Sequence, residues 1–151
     1  MLHILFVCTG NTCRSPMAKA IFEKKSVEAG ISCAFSSAAV GFCSDSGVSE
    51  NAVRVMNEID MDISTHRPRI LREHDIDVTD IYVVMTQEHA DAIKTVGVPE
   101  EKIYILGGGI PDPYGSDMAT YRRCRNIIEK AVEDFCGYVA EKFPGCIAKD
   151  I

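Results

Sequence analysis

Residues 8–15 place a cysteine and an arginine six positions apart, among side chains that suit a tight loop. The segment reads Cys8-Thr9-Gly10-Asn11-Thr12-Cys13-Arg14-Ser15. A thiolate at Cys8 would be a strong nucleophile. Arg14 can donate two parallel N–H groups to phosphoryl oxygens, a geometry that lysine cannot reproduce. The pattern therefore predicts phosphate binding and phosphoryl transfer to a cysteine.

The flanking sequence predicts a strand before this segment and a helix after it. Residues 4–7 form a short apolar run, as a buried parallel strand requires. Ser15 is a favoured N-cap residue, and Pro16 suits the first helical position. The loop would then end at a helix N-terminus, whose free amides and dipole stabilise both a phosphate and a thiolate. Gly10 and Asn11 tolerate the left-handed backbone that turns loop amides toward an anion.

Three later stretches extend the pattern that residues 8–18 begin. They are Ser37-Ala38-Ala39, His66 within residues 64–69, and Asp112-Pro113-Tyr114-Gly115 followed by Tyr121. In this order, and with the Cys-x5-Arg segment near the start, the chain resembles the low-molecular-weight protein tyrosine phosphatases up to about residue 143. That family includes bacterial protein arginine phosphatases. The resemblance implies a single phosphatase domain over residues 1–151 and a phosphocysteine intermediate.

The resemblance also implies a role for each candidate residue. Cys8 would be the nucleophile, Arg14 would bind the phosphoryl group into the transition state, and Asp112 would be the general acid. The substrate-binding set would be Thr9, Gly10, Asn11, Thr12, Cys13, Ser15, Phe42 and Tyr114, with Ser37 and His66 supporting the loop. Ser15 would donate a hydrogen bond to the Cys8 sulfur.

Substrate choice depends on one position in this resemblance. A bulkier aliphatic residue at Thr12 is associated with phosphotyrosine enzymes, and Thr with phosphoarginine enzymes, so the sequence favours phosphoarginine over phosphotyrosine. Thr12 can also be a packing residue, Asp112 and Tyr114 turn residues, and Phe42 a core residue. Those structural roles stay open from the sequence alone, as does a surface position for His66.

Two other functions fit parts of the sequence. Thioredoxin-coupled arsenate reductases share the fold and the Cys-x5-Arg loop, but they rely on a further cysteine pair near the middle of the chain, and residues 79–96 contain no cysteine. Phosphocarriers of the sugar-transport IIB type also hold a phosphocysteine after the first strand. Arg14 and Asp112 argue against a carrier, because they would hasten hydrolysis of the phosphocysteine that a carrier must preserve.

Composition narrows the remaining classes. The chain has 151 residues, of which 46% are hydrophobic, and a formal net charge of −6. The negative charge disfavours nucleic acid and anionic membranes as partners. No apolar run reaches the ~20 residues of a membrane-spanning helix, and the start lacks the charged region of a signal peptide. We expect a cytoplasmic monomer that acts on phosphorylated proteins and needs neither a cofactor nor a metal.

The seven cysteines fit a reducing compartment without a structural disulfide framework. Cys13 lies five residues from Cys8 on a curved loop. A reversible disulfide between the two would remove the nucleophile while protecting it from overoxidation. The sequence therefore predicts redox regulation of the site.

Strand and helix signals alternate along the rest of the chain. Further strands are predicted at 33–36, 81–85 and 103–106, and helices at 16–29, from Ser49, at 88–95 and from Met118. This alternation predicts an α/β fold with a four-stranded parallel sheet and helices on both faces. In such sheets ligands bind at the carboxyl ends of the strands, where the Cys8 loop would lie. The glycines at 107–109 are predicted to form a flexible hinge before Asp112.

Overall fold

A computed structural model describes residues 1–41 and 47–147 of the chain. Its four parallel strands are β1 (His3–Cys8), β2 (Ala34–Ala39), β3 (Ile81–Val84) and β4 (Ile103–Ile105), in the spatial order β2-β1-β3-β4. The helices are α1 (Arg14–Glu28), α2 (Glu50–Asn57), α3 (Glu73–Val78), α4 (Gln87–Thr95) and α5 (Met118–Lys142). The predicted fold class is confirmed. Within the described ranges, no helix has both the length and the apolar surface that crossing a membrane requires.

Helices cover both faces of the sheet, because both faces of its strands are apolar. Phe6 of β1 meets Phe22 of α1 and Phe135 of α5, with ring centroids 5.4 to 6.2 Å apart. The alternate residues of β1, Leu5 and Val7, face a second core that α4 covers. A parallel sheet buried in this way reads as continuous apolar runs, which is the signal that locates β1 and β3 in the sequence.

The start of α1 differs from the prediction. The helix begins at Arg14 with Cys13 at the N-cap, and the Cys13 side chain makes no capping hydrogen bond. Ser15 is therefore inside the first turn, and the prediction that it is the N-cap residue is wrong. Its hydroxyl contacts the Cys8 sulfur at 2.9 Å and accepts a hydrogen bond from Asn11 Nδ2 at 2.7 Å. Pro16 remains compatible with the helix, because the first amides of a helix have no intrahelical acceptor.

The other predicted elements lie within a few residues of their expected positions. Helix α1 ends before Gly30, whose φ of 71° is the left-handed conformation that favours glycine after a helix. The glycines at 107–109 also have positive φ values, and the Ile110 amide donates to the Met85 carbonyl at 2.6 Å. That bond ties the approach to Asp112 to the end of β3. Helix α3 has no counterpart among the predicted elements.

Candidate active site

The loop that carries the cysteine and the arginine leaves the carboxyl end of an interior strand. Strand β1 pairs with β2 on one side and with β3 on the other. The chain runs from β1 to the edge strand β2 and then crosses to β3, so the end of β1 is a topological switch point of the sheet. The loop continues directly into α1, which places the positive end of that helix against it. The loop therefore lies at the carboxyl end of the strands, where the sequence places it.

Buried side chains hold the loop in its curved shape. Asn11 has φ 56°, a left-handed value that a hydrogen-bonding Asn side chain tolerates. Its Nδ2 donates to the Ser15 hydroxyl, which in turn lies 2.9 Å from Cys8 Sγ. Because Ser15 accepts from Asn11, its own proton is free to be donated to a thiolate at Cys8. This chain of contacts is the arrangement that the sequence resemblance implies for Ser15.

Two further groups, a histidine ring and a backbone amide, hold the side-chain oxygen of Asn11. His66 Nε2 and the Arg69 amide both lie 3.1 Å from Asn11 Oδ1. Arg69 is held by Asp75 through two bonds of 2.8 and 3.0 Å. Burial, together with the nearby charge of Lys19, lowers the pKa of His66. His66 thus contacts the side chain that shapes the loop, and its lowered pKa favours the neutral imidazole.

The Ser37 side chain makes no hydrogen bond to this network within the described residues. It is buried in β2, but its hydroxyl has no hydrogen-bond partner in the part of the chain that the structure describes. The structure therefore does not join Ser37 to the hydrogen-bond network of Asn11 and His66, contrary to the role implied by the resemblance. Its contribution in this structure is packing.

Arg14 is held from one side, and part of its guanidinium has no partner within residues 1–41 and 47–147. Its Nη1 donates to the Ile110 carbonyl at 3.0 Å, and its Nη2 lies 3.5 Å from Asp112 Oδ2. Its Nε is buried and has no partner in the part of the chain that the structure describes. A phosphoryl oxygen accepting from Nε would remove the cost of that unpaired donor, roughly 1–3 kcal/mol.

The two cysteines of the loop have different surroundings. Burial, with Cys8 and Asp112 nearby, raises the pKa of Cys13 to about 12, so its thiol keeps its proton. Cys13 Sγ lies 4.0 Å from Asp112 Oδ1, the same oxygen that accepts from the Tyr114 amide at 3.1 Å. Cys8 instead contacts a hydroxyl and lies at the start of the loop. Of the two thiols, the protonated and buried Cys13 is the less suited to act as a nucleophile.

These groups surround a cavity of about 660 Å³. Of the residues predicted to bind substrate, it is lined by Thr9, Gly10, Thr12, Cys13 and Tyr114, in addition to Cys8, Arg14 and Asp112. Asn11 and Ser15 are buried behind the loop rather than at its surface. The opposite wall comes from residues 47–50, where Ser49 Oγ lies 2.9 Å from the Tyr121 hydroxyl of α5. The predicted role of Phe42 lies outside the described residues.

Sequence reasoning does not find His89, which contacts the loop from the first turn of α4. Its Nε2 lies 2.8 Å from Thr9 Oγ1, and it is 5% exposed. Burial, with the charge of Arg14, lowers its pKa to about 4. The signal that could have found it is topological, since β3 is adjacent to β1 and the segments that follow adjacent parallel strands meet at one edge of the sheet.

Comparison with known proteins agrees with this geometry. Residues 3–144 match the family described as low molecular weight phosphotyrosine protein phosphatase. The protein-arginine-phosphatase of Bacillus subtilis is 33% identical over 138 residues, covering 85% of this chain and 91% of that protein. The low molecular weight protein-tyrosine-phosphatase Ptp of Acinetobacter johnsonii is 31% identical, covering 91% and 97%. Arsenate reductases also match, at 30 to 32% identity.

A solved structure shows the same fold. The YwlE arginine phosphatase from Geobacillus stearothermophilus superposes with a TM-score of 0.84 at 30% identity, covering 99% of this chain and 100% of that one. The fold and the site together define a phosphatase with a cysteine nucleophile in a Cys-x5-Arg loop. The chain belongs to the low molecular weight phosphotyrosine protein phosphatase family, which confirms the family and the hydrolase class predicted from its sequence.

Proposed function

We propose that this phosphatase removes phosphoryl groups from arginine side chains of proteins, with Cys8 as nucleophile, Arg14 as phosphate-binding residue and Asp112 as general acid. The observation that carries the proposal is the arrangement around one cavity. Cys8 has a hydroxyl 2.9 Å from its sulfur. The same site holds the partly exposed Asp112 carboxylate and the Nε of Arg14, which has no partner among the described residues. One domain over residues 1–151 carries the whole site in this proposal.

In the first step the Cys8 thiolate attacks phosphorus. The sulfur–phosphorus bond forms as the bond from phosphorus to the guanidine nitrogen breaks, and protonated Asp112 gives its proton to that nitrogen. Arg14 and the loop amides follow the charge of the equatorial oxygens into the transition state. Ser15, which accepts from Asn11, supports the thiolate before attack and when it leaves in the second step.

In the second step a water molecule attacks the phosphocysteine. The Asp112 carboxylate takes a proton from that water as the oxygen–phosphorus bond forms, and the Cys8 thiolate leaves. Inorganic phosphate is released and Asp112 is again protonated. The two steps restore the enzyme, so no electron acceptor or further cysteine enters the balance.

Two observations support phosphoarginine over phosphotyrosine. Thr12 lines the cavity, and its carbonyl accepts from the Ser49 amide at 2.8 Å, so the residue is fixed against the opposite wall. A small hydroxyl-bearing side chain there leaves a polar surface that suits a guanidinium better than a phenyl ring. The similarity to named arginine phosphatases, at 33 and 35% identity, supports the same choice.

The alternatives fit the site less well. An arsenate reductase of the thioredoxin-coupled kind needs cysteines near the middle of the chain, and residues 79–96, which form β3 and α4, have none. A phosphocarrier must keep its phosphocysteine from water, whereas Asp112 lies at the mouth of the site with 51% of its side chain exposed. The proposed setting is the cytoplasm, where thiols stay reduced, with phosphoproteins as substrates and the enzyme as a monomer.

The test is kcat/KM on matched phosphoarginine and phosphotyrosine peptides, with Cys8→Ser as the blank. We expect a preference for phosphoarginine, which Thr12→Ile should reduce while activity on phosphotyrosine is kept or raised. A wild-type preference for phosphotyrosine that Thr12→Ile leaves unchanged would refute the substrate assignment. Turnover by Cys8→Ser at the wild-type rate would refute the mechanism as well.

A further inference from the structure

A buried histidine that the mechanism does not use contacts the loop beside the nucleophile. Thr9 follows Cys8 directly and lines the same cavity as Cys8 and Arg14. Its hydroxyl is 2.8 Å from His89 Nε2. Its methyl lies beside Gly41, where an added β-carbon would come within 3.2 Å of Thr9 Cγ2. The hydroxyl contact with His89, with the methyl turned toward Gly41, defines the orientation of the Thr9 side chain.

The surroundings of the imidazole decide which atom donates. Burial and the nearby charge of Arg14 keep His89 neutral, so the ring carries one proton. Nδ1 is buried and has no hydrogen-bond partner among residues 1–41 and 47–147. A proton on Nδ1 would be an orphaned buried N–H, which folded proteins rarely tolerate, whereas a proton on Nε2 leaves only a lone pair unpaired. The contacts of the described residues therefore favour the Nε2–H tautomer, in which Nε2–H donates to Thr9 Oγ1.

Donation from His89 leaves the proton of the Thr9 hydroxyl available. A hydroxyl that accepts from His89 keeps its own proton for another acceptor. In the described part of the chain, the only hydrogen-bond partner of Thr9 Oγ1 is His89. A phosphoryl group held by Arg14 above Cys8 would bring acceptor oxygens into the cavity that Thr9 lines.

We propose that His89 is a positioning residue that holds Thr9, and that the Thr9 hydroxyl donates a hydrogen bond to an equatorial oxygen of the transferring phosphoryl group. The proposal rests on the phosphatase activity proposed above. It adds a side-chain donor to the amides and guanidinium that stabilise the transition state. His89 itself does not touch the substrate in this scheme.

The experiment is a double-mutant cycle on kcat/KM with Thr9→Val, which keeps the shape of the residue and removes its hydroxyl, and His89→Leu. A donor to a charged acceptor contributes about 10- to 100-fold, so each single variant should lose that much. The double variant should lose no more than one single variant, because His89 acts only through Thr9. The inhibition constant for inorganic phosphate should rise in the same pattern.

Conservative variants separate positioning from structural support. Thr9→Ser and His89→Gln keep the hydroxyl and an N–H donor, and both should retain most of the activity. His74→Leu, a change at an exposed histidine of α3, should match the wild type. Losses that multiply in the double variant would overturn the proposal, as would full activity in Thr9→Val.

A measurement that does not depend on turnover completes the test. Long-range proton–nitrogen NMR of the wild-type protein should show His89 protonated at Nε2, and protonation at Nδ1 would overturn the inference. A wild type that lacks phosphatase activity would instead refute the proposed function, and the tautomer of His89 would still test the contact with Thr9.

Discussion

We expect the His89→Gln variant to lose less stability than the wild-type protein when the pH is lowered. The pKa of buried His89 is lowered to about 4, against ~6.5 for a histidine in an unfolded chain. Between these values the unfolded state binds more protons than the folded state. The free energy of unfolding therefore falls as the pH decreases through this window, and His89 imposes no such loss above it.

The expected loss in the free energy of unfolding follows from the difference between the folded and unfolded pKa values of His89. The full difference corresponds to about 3 kcal/mol, reached only below pH 4, and at pH 5 the loss is about 2 kcal/mol relative to pH 7.5. The charges that face His89 are Arg14, which opposes its protonation, and Asp112, which favours it. Glutamine cannot be protonated, but its amide can still donate to Thr9, so the variant should keep the fold.

Urea unfolding followed by circular dichroism, at pH 7.5 and pH 5, measures the effect. The wild type should lose about 2 kcal/mol more than His89→Gln between the two conditions. The pKa of His66 is also lowered, but His66 is present in both proteins and its contribution cancels. His74→Gln is the matched control and should behave as the wild type. An equal loss in the wild type and in His89→Gln would show that His89 is not held neutral in the folded protein, and would refute the reasoning.

Three further predictions concern Arg14, Asp112 and Cys13. Arg14→Lys should lower kcat/KM roughly 100- to 1000-fold, because lysine cannot replace the paired donors of the guanidinium; a loss of less than tenfold would contradict the role given to Arg14. Asp112→Asn should cost about 10²- to 10⁴-fold on phosphoarginine peptides but far less on an activated aryl phosphate, and equal losses on both would exclude it as the general acid. Cys13→Ser should make inactivation by peroxide irreversible by thiols, whereas the wild type should recover; equal recovery would exclude the protective disulfide.

The sequence predicts the fold and the centre of the site well, because both depend on short-range patterns. Apolar runs locate β1 and β3, since a strand buried on two faces can contain few polar residues. Cys8 and Arg14 are only six residues apart, so the loop between β1 and α1 brings them together regardless of how the rest of the chain folds. The exact start of α1 is less well predicted. Ser15 suits an N-cap by residue type, but its hydroxyl is already engaged by Asn11 and Cys8, and the helix begins two residues earlier, with Cys13 as the N-cap.

The contact between His89 and the active-site loop cannot be predicted without knowing which strands are neighbours in the sheet. The sequence separates His89 from Thr9 by 80 residues, and no local pattern distinguishes it from His3 and His74. The register of the sheet supplies the link: Val7 of β1 pairs with Val84 of β3, so Thr9 and Thr86 leave the sheet at the same height. The Thr86 hydroxyl then accepts from the His89 amide at 3.2 Å and fixes the first turn of α4, which turns the imidazole toward Thr9. A residue one helical turn beyond a strand next to the nucleophile's strand is therefore in reach of the active-site loop, and only the strand order shows this.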